Sequence, residues 1–277
     1  MNIKQYYDRS AELTLQHPWY REQVERYLLG ALHSDATTDV TSKKLIPRHQ
    51  TSQAVIRQNE PGVLAGVEEI GWLLRKHNLF LKKLKISGRS RDILLVERTV
   101  LNTLQRLSGI ATLTQQLIKK IGRYPLIAAT RKTQWGALDK KAVALGGGYT
   151  HRLGLFDGVL VKDNHLALAE HDVLKHVRWG KQLAGIEVGS ISQLKRVILH
   201  YPQFQILLLD NFPPEKIQGI VRWLTQQKLR KKYILEASGG ITPENIMGYA
   251  RTDVDVLSIG YLTHSAPALD ISLDIIP

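Results

Sequence analysis

Short apolar segments alternate with helix-like segments through the C-terminal half of the chain. The apolar segments are rich in Ile, Leu and Val and predict strands at 126–129, 158–161, 185–188, 206–209, 233–235 and 256–259. The stretches between them have helical composition at 170–183, 192–200, 215–226 and 243–250, the last with Thr242 and Pro243 as its expected cap and first residue. A strand–helix–strand rhythm of this kind predicts parallel strands joined by right-handed crossovers.

The N-terminal third has a different pattern. Apolar residues recur at helical spacing within 19–31, and a longer helical pattern follows at 97–121. Between these helices, Ala54 with Ile56 and Leu84 with Ile86 recur at every second position, as in half-buried strands. This third is therefore predicted to be a mixed α/β domain.

Polar residues or glycines stand at the end of each of the six predicted strands. They are Thr130, Arg131 and Lys132; Lys162, Asp163, Asn164 and His165; Glu187 and Gly189; Asp210 and Asn211; Glu236, Ser238, Gly239 and Gly240; and Gly260 and His264. In a parallel barrel the carboxyl ends of all strands meet at one mouth, whereas an open sheet has a single crevice. The pattern therefore favours a short α/β barrel of about six strands.

Cationic side chains concentrate between positions 130 and 165. They are Arg131, Lys132, His151, Arg152 and Lys162. Cations at strand ends and in glycine turns, with no obvious acidic partner in sequence, predict a small polyanionic ligand. The glycines at 239–240 and at Gly260 would let backbone N–H groups approach a phosphate at the start of a helix, although an ordinary glycine turn is the alternative at each place.

Three acidic residues lie among apolar strand residues: Glu187, Asp210 and Glu236. A carboxylate in such a position is costly unless it meets a cation, a metal or sugar hydroxyls, and internal pairing with Lys132 or Lys162 is the structural alternative. Carboxylates, phosphate-binding turns and a cationic pocket together indicate a phosphorylated sugar, with Mg²⁺ as the expected metal.

The formal net charge of +13 admits either nucleic acid or small acidic substrates as partners. The Lys and Arg clusters at 82–85, 119–123 and 228–232 contain few aromatic residues, so they are interpreted as solvated faces and no nucleic-acid partner is expected. The chain has no cysteine, no apolar run of membrane-spanning length and no apolar signal-peptide segment. We therefore expect no membrane partner and a cytoplasmic location.

Several long motifs occur in one order: TRKT, GGGYTHRLGLFDGVLVKDNH, LLLDNF, LEASGGIT and IGYLTHSAPALDISLDI. Together they resemble quinolinate phosphoribosyltransferase, also called carboxylating nicotinate-nucleotide diphosphorylase, over most of 130–275, with fainter matches upstream. The resemblance implies transfer of phosphoribosyl from phosphoribosyl pyrophosphate to quinolinate, with loss of carbon dioxide and pyrophosphate, to give nicotinate mononucleotide for NAD biosynthesis. It also implies an N-terminal α/β sandwich domain (1–110), an α/β barrel (111–263) and a C-terminal segment (264–277) that returns to the first domain.

The resemblance also assigns roles to residues. It implies a pocket for the two quinolinate carboxylates and a second set of residues around the phosphates. The first set is Arg131, His151, Arg152 and Lys162, with Thr130 beside them; the second is Lys132, Ser238, Gly239, Gly240, Gly260, Tyr261 and His264. Catalytic roles fall on Lys132, Lys162, Glu187 and Asp210, with Asp210 and Glu187 as the Mg²⁺ ligands. Arg98 matches a residue supplied by the partner subunit, which implies a homodimer with shared active sites or a larger assembly of dimers.

One departure from the family pattern concerns the third barrel strand. The family usually has Glu-Val-Glu there, and this chain has Glu187, Val188 and Gly189. Either another carboxylate takes over the missing contact or the substrate has changed. The alternatives to the leading hypothesis are therefore a ModD-like relative, of the kind associated with molybdenum uptake, acting on another acidic aromatic base, and a basic nucleic-acid-binding protein.

Overall fold

The computed structural model describes residues 3–35, 39–180 and 183–276. The chain forms two compact units. The first comprises Met1–Arg9, Gln116–Thr133 and Gly148–Ser265, and the second comprises Ser10–Gln115, Gln134–Gly147 and Ala266–Pro277.

Helices and strands alternate along most of the chain. The helices are α1 (Lys4–Tyr7), α2 (Pro18–Asp35), α3 (Val40–Leu45), α4 (Val67–Lys76), α5 (Ser90–Ile121), α6 (Ala137–Leu145), α7 (Asp163–Leu168), α8 (His171–His176), α9 (Ile191–His200), α10 (Pro214–Gln226), α11 (Ile246–Ala250) and α12 (Tyr261–His264). The strands are β1 (Thr51–Gln58), β2 (Phe80–Lys82), β3 (Lys85–Arg89), β4 (Leu126–Ala128), β5 (Val159–Val161), β6 (Ala184–Val188), β7 (Ile206–Asp210), β8 (Ile234–Ser238), β9 (Val256–Ser258) and β10 (Ile271–Ile276). Two 3₁₀ helices, Ser10–Glu12 and Arg230–Lys232, complete the described elements.

The second unit contains an antiparallel sheet of strand order β10-β1-β3-β2. Ala54 and Ile56 of β1 are buried, as their alternation predicts. The segment before β10 passes very close to α5. A Cβ on Gly109 of α5 would lie 1.9 Å from the carbonyl oxygen of Pro267. A glycine is therefore required at this crossing.

The first unit contains six parallel strands in the order β4-β9-β8-β7-β6-β5. Each strand overlaps one of the six predicted segments, and most of its residues are buried. Tyr149, which precedes β5 in the chain, exchanges backbone hydrogen bonds of 2.8 Å with Ile127 and Ala129 along the free edge of β4. The segment that leads into edge strand β5 thus runs beside β4, the strand at the opposite edge of the sheet, as closure of a barrel requires. The predicted fold class is confirmed.

The N-terminal helix α1 packs at the amino end of this sheet. Tyr6 and Tyr7 are buried in one apolar cluster with Ile206, Ile234 and Val256, which are the first residues of β7, β8 and β9. The catalytic groups of parallel barrels lie at the opposite, carboxyl end. The two tyrosines therefore fill the barrel from below the expected site.

Three helix predictions differ from the structure. The predicted helix at 170–183 is wrong in extent, because α8 ends at His176, the backbone of Val177 leaves the helical region with ψ 140, and Gly180 has φ +62. Positions 181 and 182 of this prediction lie outside the described residues. Helix α5 begins at Ser90, earlier than the predicted 97, because polar Ser90 and acidic Asp92 favour a helix start. The third difference, at 243–250, affects the glycine turn of the candidate site. Within the described residues, no helix has the length and apolar character needed to cross a membrane.

Candidate active site

A cavity of about 280 Å³ opens among the strand ends of the first unit. It is lined by Thr130, Arg131, Lys132, His151, Arg152, Leu160, Lys162, Glu187, Leu208, Asp210, Glu236, Ser238 and Ser258. The sequence predicts nine of these as site residues and also names Glu236 as a strand carboxylate that needs a partner. Sequence reasoning did not single out Leu160, Leu208 or Ser258, because inward-facing strand residues give the same alternation signal whether they line a cavity or a core.

Arg152 is the most deeply placed cation of the cavity. Its side chain is only 5% exposed, and its Nη1 donates a long hydrogen bond of 3.4 Å to the carbonyl of Gly158. Burial lowers the pKa of Arg152, and the neighbouring charge of Arg131 lowers it further. Within the described residues, no carboxylate forms an ion pair with Arg131, Lys132 or Arg152. The cavity therefore holds cations that an external anion can satisfy.

Lys162 is already paired within the protein. Its Nζ lies 2.7 Å from Oε2 of Glu187, which projects from β6. The lysine side chain remains 42% exposed, and the carboxylate only 12%. Internal pairing, the structural alternative for the strand carboxylates, is thus realised at Glu187. The lysine can still turn towards an anion because its stem is flexible and its ammonium has three donors.

Asp210 ends strand β7 beside Ser238 of β8. Its Oδ2 accepts a hydrogen bond of 2.8 Å from the side-chain amide of Asn211. Among the described residues, no group of three or more acidic, histidine or cysteine side chains is arranged to hold a metal ion. A Mg²⁺ ion would therefore need oxygen ligands from a substrate as well as from Asp210, which is the usual arrangement for Mg²⁺ bound with phosphates.

The glycine turn after β8 adopts a backbone that only glycine tolerates easily. Gly239 and Gly240 have φ +93 and +63, and a Cβ on Gly239 would lie 2.2 Å from Oδ1 of Asn211. The predicted start of a helix at Thr242 and Pro243 is wrong. Asn245 instead ties a turn together, accepting from the Thr242 N–H and donating to the Gly240 carbonyl at 2.8 Å each, and α11 begins only after it. The turn offers backbone N–H groups without a helix terminus behind them.

The last predicted loop lies against Lys132. The hydroxyl of Thr263 donates a 2.7 Å hydrogen bond to the Lys132 carbonyl. A Cβ on Gly260 would lie 3.3 Å from both the Lys132 side chain and the ring of His264. Tyr261 stands on the same short helix, with its ring centroid 6.1 Å from that of His264. The structure thus brings Gly260 and His264 next to Lys132. Lys132 lines the cavity, and the other two residues do not.

His151 and Glu236 form a buried pair. The Nε2 of His151 lies 3.1 Å from Oε1 of Glu236, and both side chains are almost completely buried. Burial disfavours the carboxylate, but the hydrogen bonds that its two oxygens accept from His151 and Tyr7 favour the charged form and outweigh this, and the pKa of Glu236 is lowered. The sequence indicated that Glu236 needs a partner, but it did not identify either of these two.

Arg98 and Gly189, which the sequence analysis also considers, do not line the cavity. Arg98 has an exposed side chain on α5, in the second unit. Gly189 follows the end of β6, is exposed, and donates its N–H to Oε1 of Gln193 at 2.9 Å. Glu187, two residues earlier, is the residue of this segment that lines the cavity.

Comparison with known proteins identifies the family of this chain. A family model described as the C-terminal domain of quinolinate phosphoribosyl transferase matches residues 110–274. A probable carboxylating nicotinate-nucleotide pyrophosphorylase from Methanothermobacter thermautotrophicus is 39% identical over 264 residues, covering 86% of this chain and 93% of that protein. The chain belongs to the quinolinate phosphoribosyltransferase family. A carboxylating nicotinate-nucleotide pyrophosphorylase from Mycobacterium leprae is 36% identical and covers 88% of this chain and 94% of its own length.

Solved structures of the quinolinate phosphoribosyltransferase family share the architecture. The nicotinate-nucleotide pyrophosphorylase from Francisella tularensis superposes with a TM-score of 0.80 at 31% identity, covering 92% of this chain and 96% of that one. NadC from Streptococcus pyogenes gives a TM-score of 0.79 at 28% identity, with 92% and 98% covered. The similarity therefore extends through both units of the chain.

Proposed function

We propose that this protein transfers phosphoribosyl from phosphoribosyl pyrophosphate to quinolinate, with decarboxylation, to give nicotinate mononucleotide, pyrophosphate and carbon dioxide. The observation that carries the proposal is the buried guanidinium of Arg152, which has no carboxylate partner among the described residues and lies in a cavity with two further unpaired cations. A buried cation without a partner is costly, so its presence in a cavity favours an anionic ligand.

Quinolinate fits this cavity by charge and shape. Its two carboxylates are planar, and a guanidinium can bind each through two parallel hydrogen bonds. Arg131 and Arg152 are the groups for this role, with Lys162 available if it leaves Glu187. Leu160 and Leu208 offer apolar contacts to the flat ring.

The phosphoribosyl group is proposed to bind on the other side of the cavity. Lys132 and the N–H groups of the turn at Gly239 and Gly240 suit phosphate oxygens, because both present positive charge without a competing carboxylate. Asp210 is the carboxylate available to the ribose hydroxyls and to Mg²⁺. A Mg²⁺ ion would neutralise the departing pyrophosphate, and its remaining ligands would be diphosphate oxygens and water.

For the reaction itself, the protein mainly needs to position the two reactants and to stabilise the charges that develop. As pyrophosphate leaves, the ribose carbon gains oxocarbenium character, and the negative charge of Asp210 stabilises it. The ring nitrogen becomes cationic once it is alkylated, and this charge stabilises the carbanion left when the adjacent carboxylate departs as carbon dioxide. That carbon then takes up a proton from solvent, which gives nicotinate mononucleotide. Holding the two reactants together and excluding water therefore supply most of the remaining effect.

The proposal includes the assembly and the location. Arg98 is proposed to reach the active site of a partner subunit, which requires at least a homodimer, and an exposed arginine on α5 is compatible with that role. A cytoplasmic location completes the proposal, in line with the absence of cysteine.

Steady-state turnover tests the proposal. Purified protein is assayed for pyrophosphate release with phosphoribosyl pyrophosphate, Mg²⁺ and either quinolinate, nicotinate or another acidic aromatic base. We expect turnover with quinolinate and a large preference over nicotinate, which lacks one of the two carboxylates. Turnover of another base without quinolinate would favour the ModD-like alternative. Filter binding of DNA and RNA at two salt concentrations tests the nucleic-acid alternative, which predicts a steep salt dependence.

A further inference from the structure

The N-terminal segment holds the turn that carries Arg152. The backbone N–H of His151 donates a 2.8 Å hydrogen bond to the Tyr7 carbonyl. The N–H of Arg9 donates to the hydroxyl of Thr150 at 2.8 Å. These contacts join residues about 140 positions apart in sequence, both within the first unit. The turn at 150–152 is therefore fixed from the N-terminal segment as well as by its own chain.

His151 is held in a strained backbone conformation with both ring nitrogens occupied. Its φ is +55, in the left-handed region that side chains other than those of Asn, Asp and His seldom adopt. Its Nδ1 accepts a 2.7 Å hydrogen bond from the backbone N–H of Arg152, while its Nε2 faces Glu236 at 3.1 Å. A nitrogen that accepts carries no proton, so the ring proton is on Nε2 and is donated to Glu236.

Glu236 is in turn fixed by Tyr7. The tyrosine hydroxyl donates a 2.5 Å hydrogen bond to Oε2, while Oε1 accepts from His151. The two rings are in edge contact, with centroids 5.1 Å apart, and Tyr7 is completely buried. The chain Tyr7, Glu236, His151 and the Arg152 backbone is thus continuous, and each link uses a specific donor and acceptor.

We propose that Tyr7 and Glu236 are positioning residues that hold His151 as a neutral, Nε2-protonated imidazole and thereby orient Arg152 towards the acidic substrate. The inference deepens the proposed function and rests on it for the identity of that substrate. It assigns His151 a different role from the one implied by the family resemblance, because a ring with both nitrogens bonded inside the protein has no donor left for a substrate carboxylate. Arg152 and its neighbours then provide the positive charge.

The tautomer of His151 is a direct test that needs no substrate. Nitrogen NMR of the wild-type protein, labelled at histidine and assigned with His151→Gln, distinguishes protonated from unprotonated ring nitrogens. We expect one proton, on Nε2, at neutral pH. A doubly protonated ring or a proton on Nδ1 alone would overturn the proposal, whether or not quinolinate is the substrate.

A matched pair of variants tests the positioning role. Tyr7→Phe removes only the hydroxyl that holds Glu236. Tyr20→Phe removes an equally buried hydroxyl that donates to Glu69 at 2.8 Å in the second unit. We expect kcat/KM for quinolinate to fall about tenfold in Tyr7→Phe, through KM for quinolinate and not KM for phosphoribosyl pyrophosphate, and to change by less than about twofold in Tyr20→Phe.

The outcomes separate the two proposals. Equal kinetic effects in the two variants, or no effect in Tyr7→Phe, would overturn the positioning role. A wild-type protein that does not turn over quinolinate would instead refute the proposed function, while the NMR result would still decide the tautomer. If Tyr7→Phe does not fold, the tautomer measured in the wild type decides the inference alone.

Discussion

Replacing Arg152 with methionine should make the protein more stable and less active at the same time. Methionine is unbranched and flexible enough to fill the space of the arginine stem, so the substitution removes the charge with little loss of packing. Arg152 is 5% exposed as a whole residue, and no carboxylate forms an ion pair with it among the described residues. Burial and the neighbouring charge of Arg131 disfavour its charged form and lower its pKa. Its removal relieves a cost in the free protein.

The magnitudes follow from these contacts. Loss of hydrogen bonds between a guanidinium and a carboxylate costs about 1.5–3 kcal/mol, which weakens quinolinate binding by about 10- to 150-fold. The relieved charge should raise the free energy of unfolding by about 1 kcal/mol, which is typical of stabilising substitutions at functional sites. The two effects have opposite signs because the cation is needed only when an anion is bound.

Isothermal titration of quinolinate and urea unfolding measure the two effects. Arg106→Met is the matched control, since this arginine is also largely buried but donates two hydrogen bonds, of 2.9 and 2.8 Å, to a completely buried Asp139. Its loss leaves that carboxylate unpaired and should cost about 3 kcal/mol of stability. If Arg152→Met lowered stability as Arg106→Met does, the guanidinium would have a structural partner and the argument for an anion site would be refuted.

Three further predictions concern other parts of the site. Gly189→Glu should change quinolinate turnover by less than about twofold by steady-state assay, because the position is exposed beyond β6 and Glu187 already lines the cavity; a large gain would contradict this. Gly239→Ala should lower the free energy of unfolding by about 1–3 kcal/mol in urea titrations and weaken phosphoribosyl pyrophosphate binding, because of its positive φ and the close Asn211 side chain; unchanged values would show that the turn adapts. Glu236→Gln should lower the free energy of unfolding at neutral pH but much less in acid. The folded-state pKa of Glu236 is below its ordinary value, so the stabilisation by the carboxylate is lost as the pH falls through that lowered pKa. A pH-independent difference in urea unfolding would count against an ionised Glu236.

The strand ends were predictable because hydrophobic pattern and topology act together. Parallel strands place their carboxyl ends at one edge, so the sequence alone predicts that Arg131, Lys162, Asp210 and Ser238 meet. The structure brings all four into one cavity lining. The signal was strong because each lies at or just beyond the end of an apolar run.

The partners of the buried groups could not be predicted in the same way. Tyr7 and Glu236 are 229 positions apart, and nothing in local periodicity marks the N-terminal segment as part of the site. The tautomer of His151 depends on a hydrogen bond from the next residue in a left-handed turn, which sequence spacing does not encode. The predicted start of the helix at 243–250 is wrong for a similar reason. Asn245 stabilises a turn at the place where Thr242 and Pro243 predict a helix start.

The fate of one carboxylate of quinolinate tests the central claim most directly. Quinolinate labelled in the carboxylate next to the ring nitrogen is incubated with the protein, phosphoribosyl pyrophosphate and Mg²⁺, and the products are analysed by mass spectrometry. The account predicts labelled carbon dioxide and unlabelled nicotinate mononucleotide in equal amounts, with the yield greatly reduced in Arg152→Met. A labelled nucleotide, or no nucleotide while the protein binds quinolinate, would contradict it.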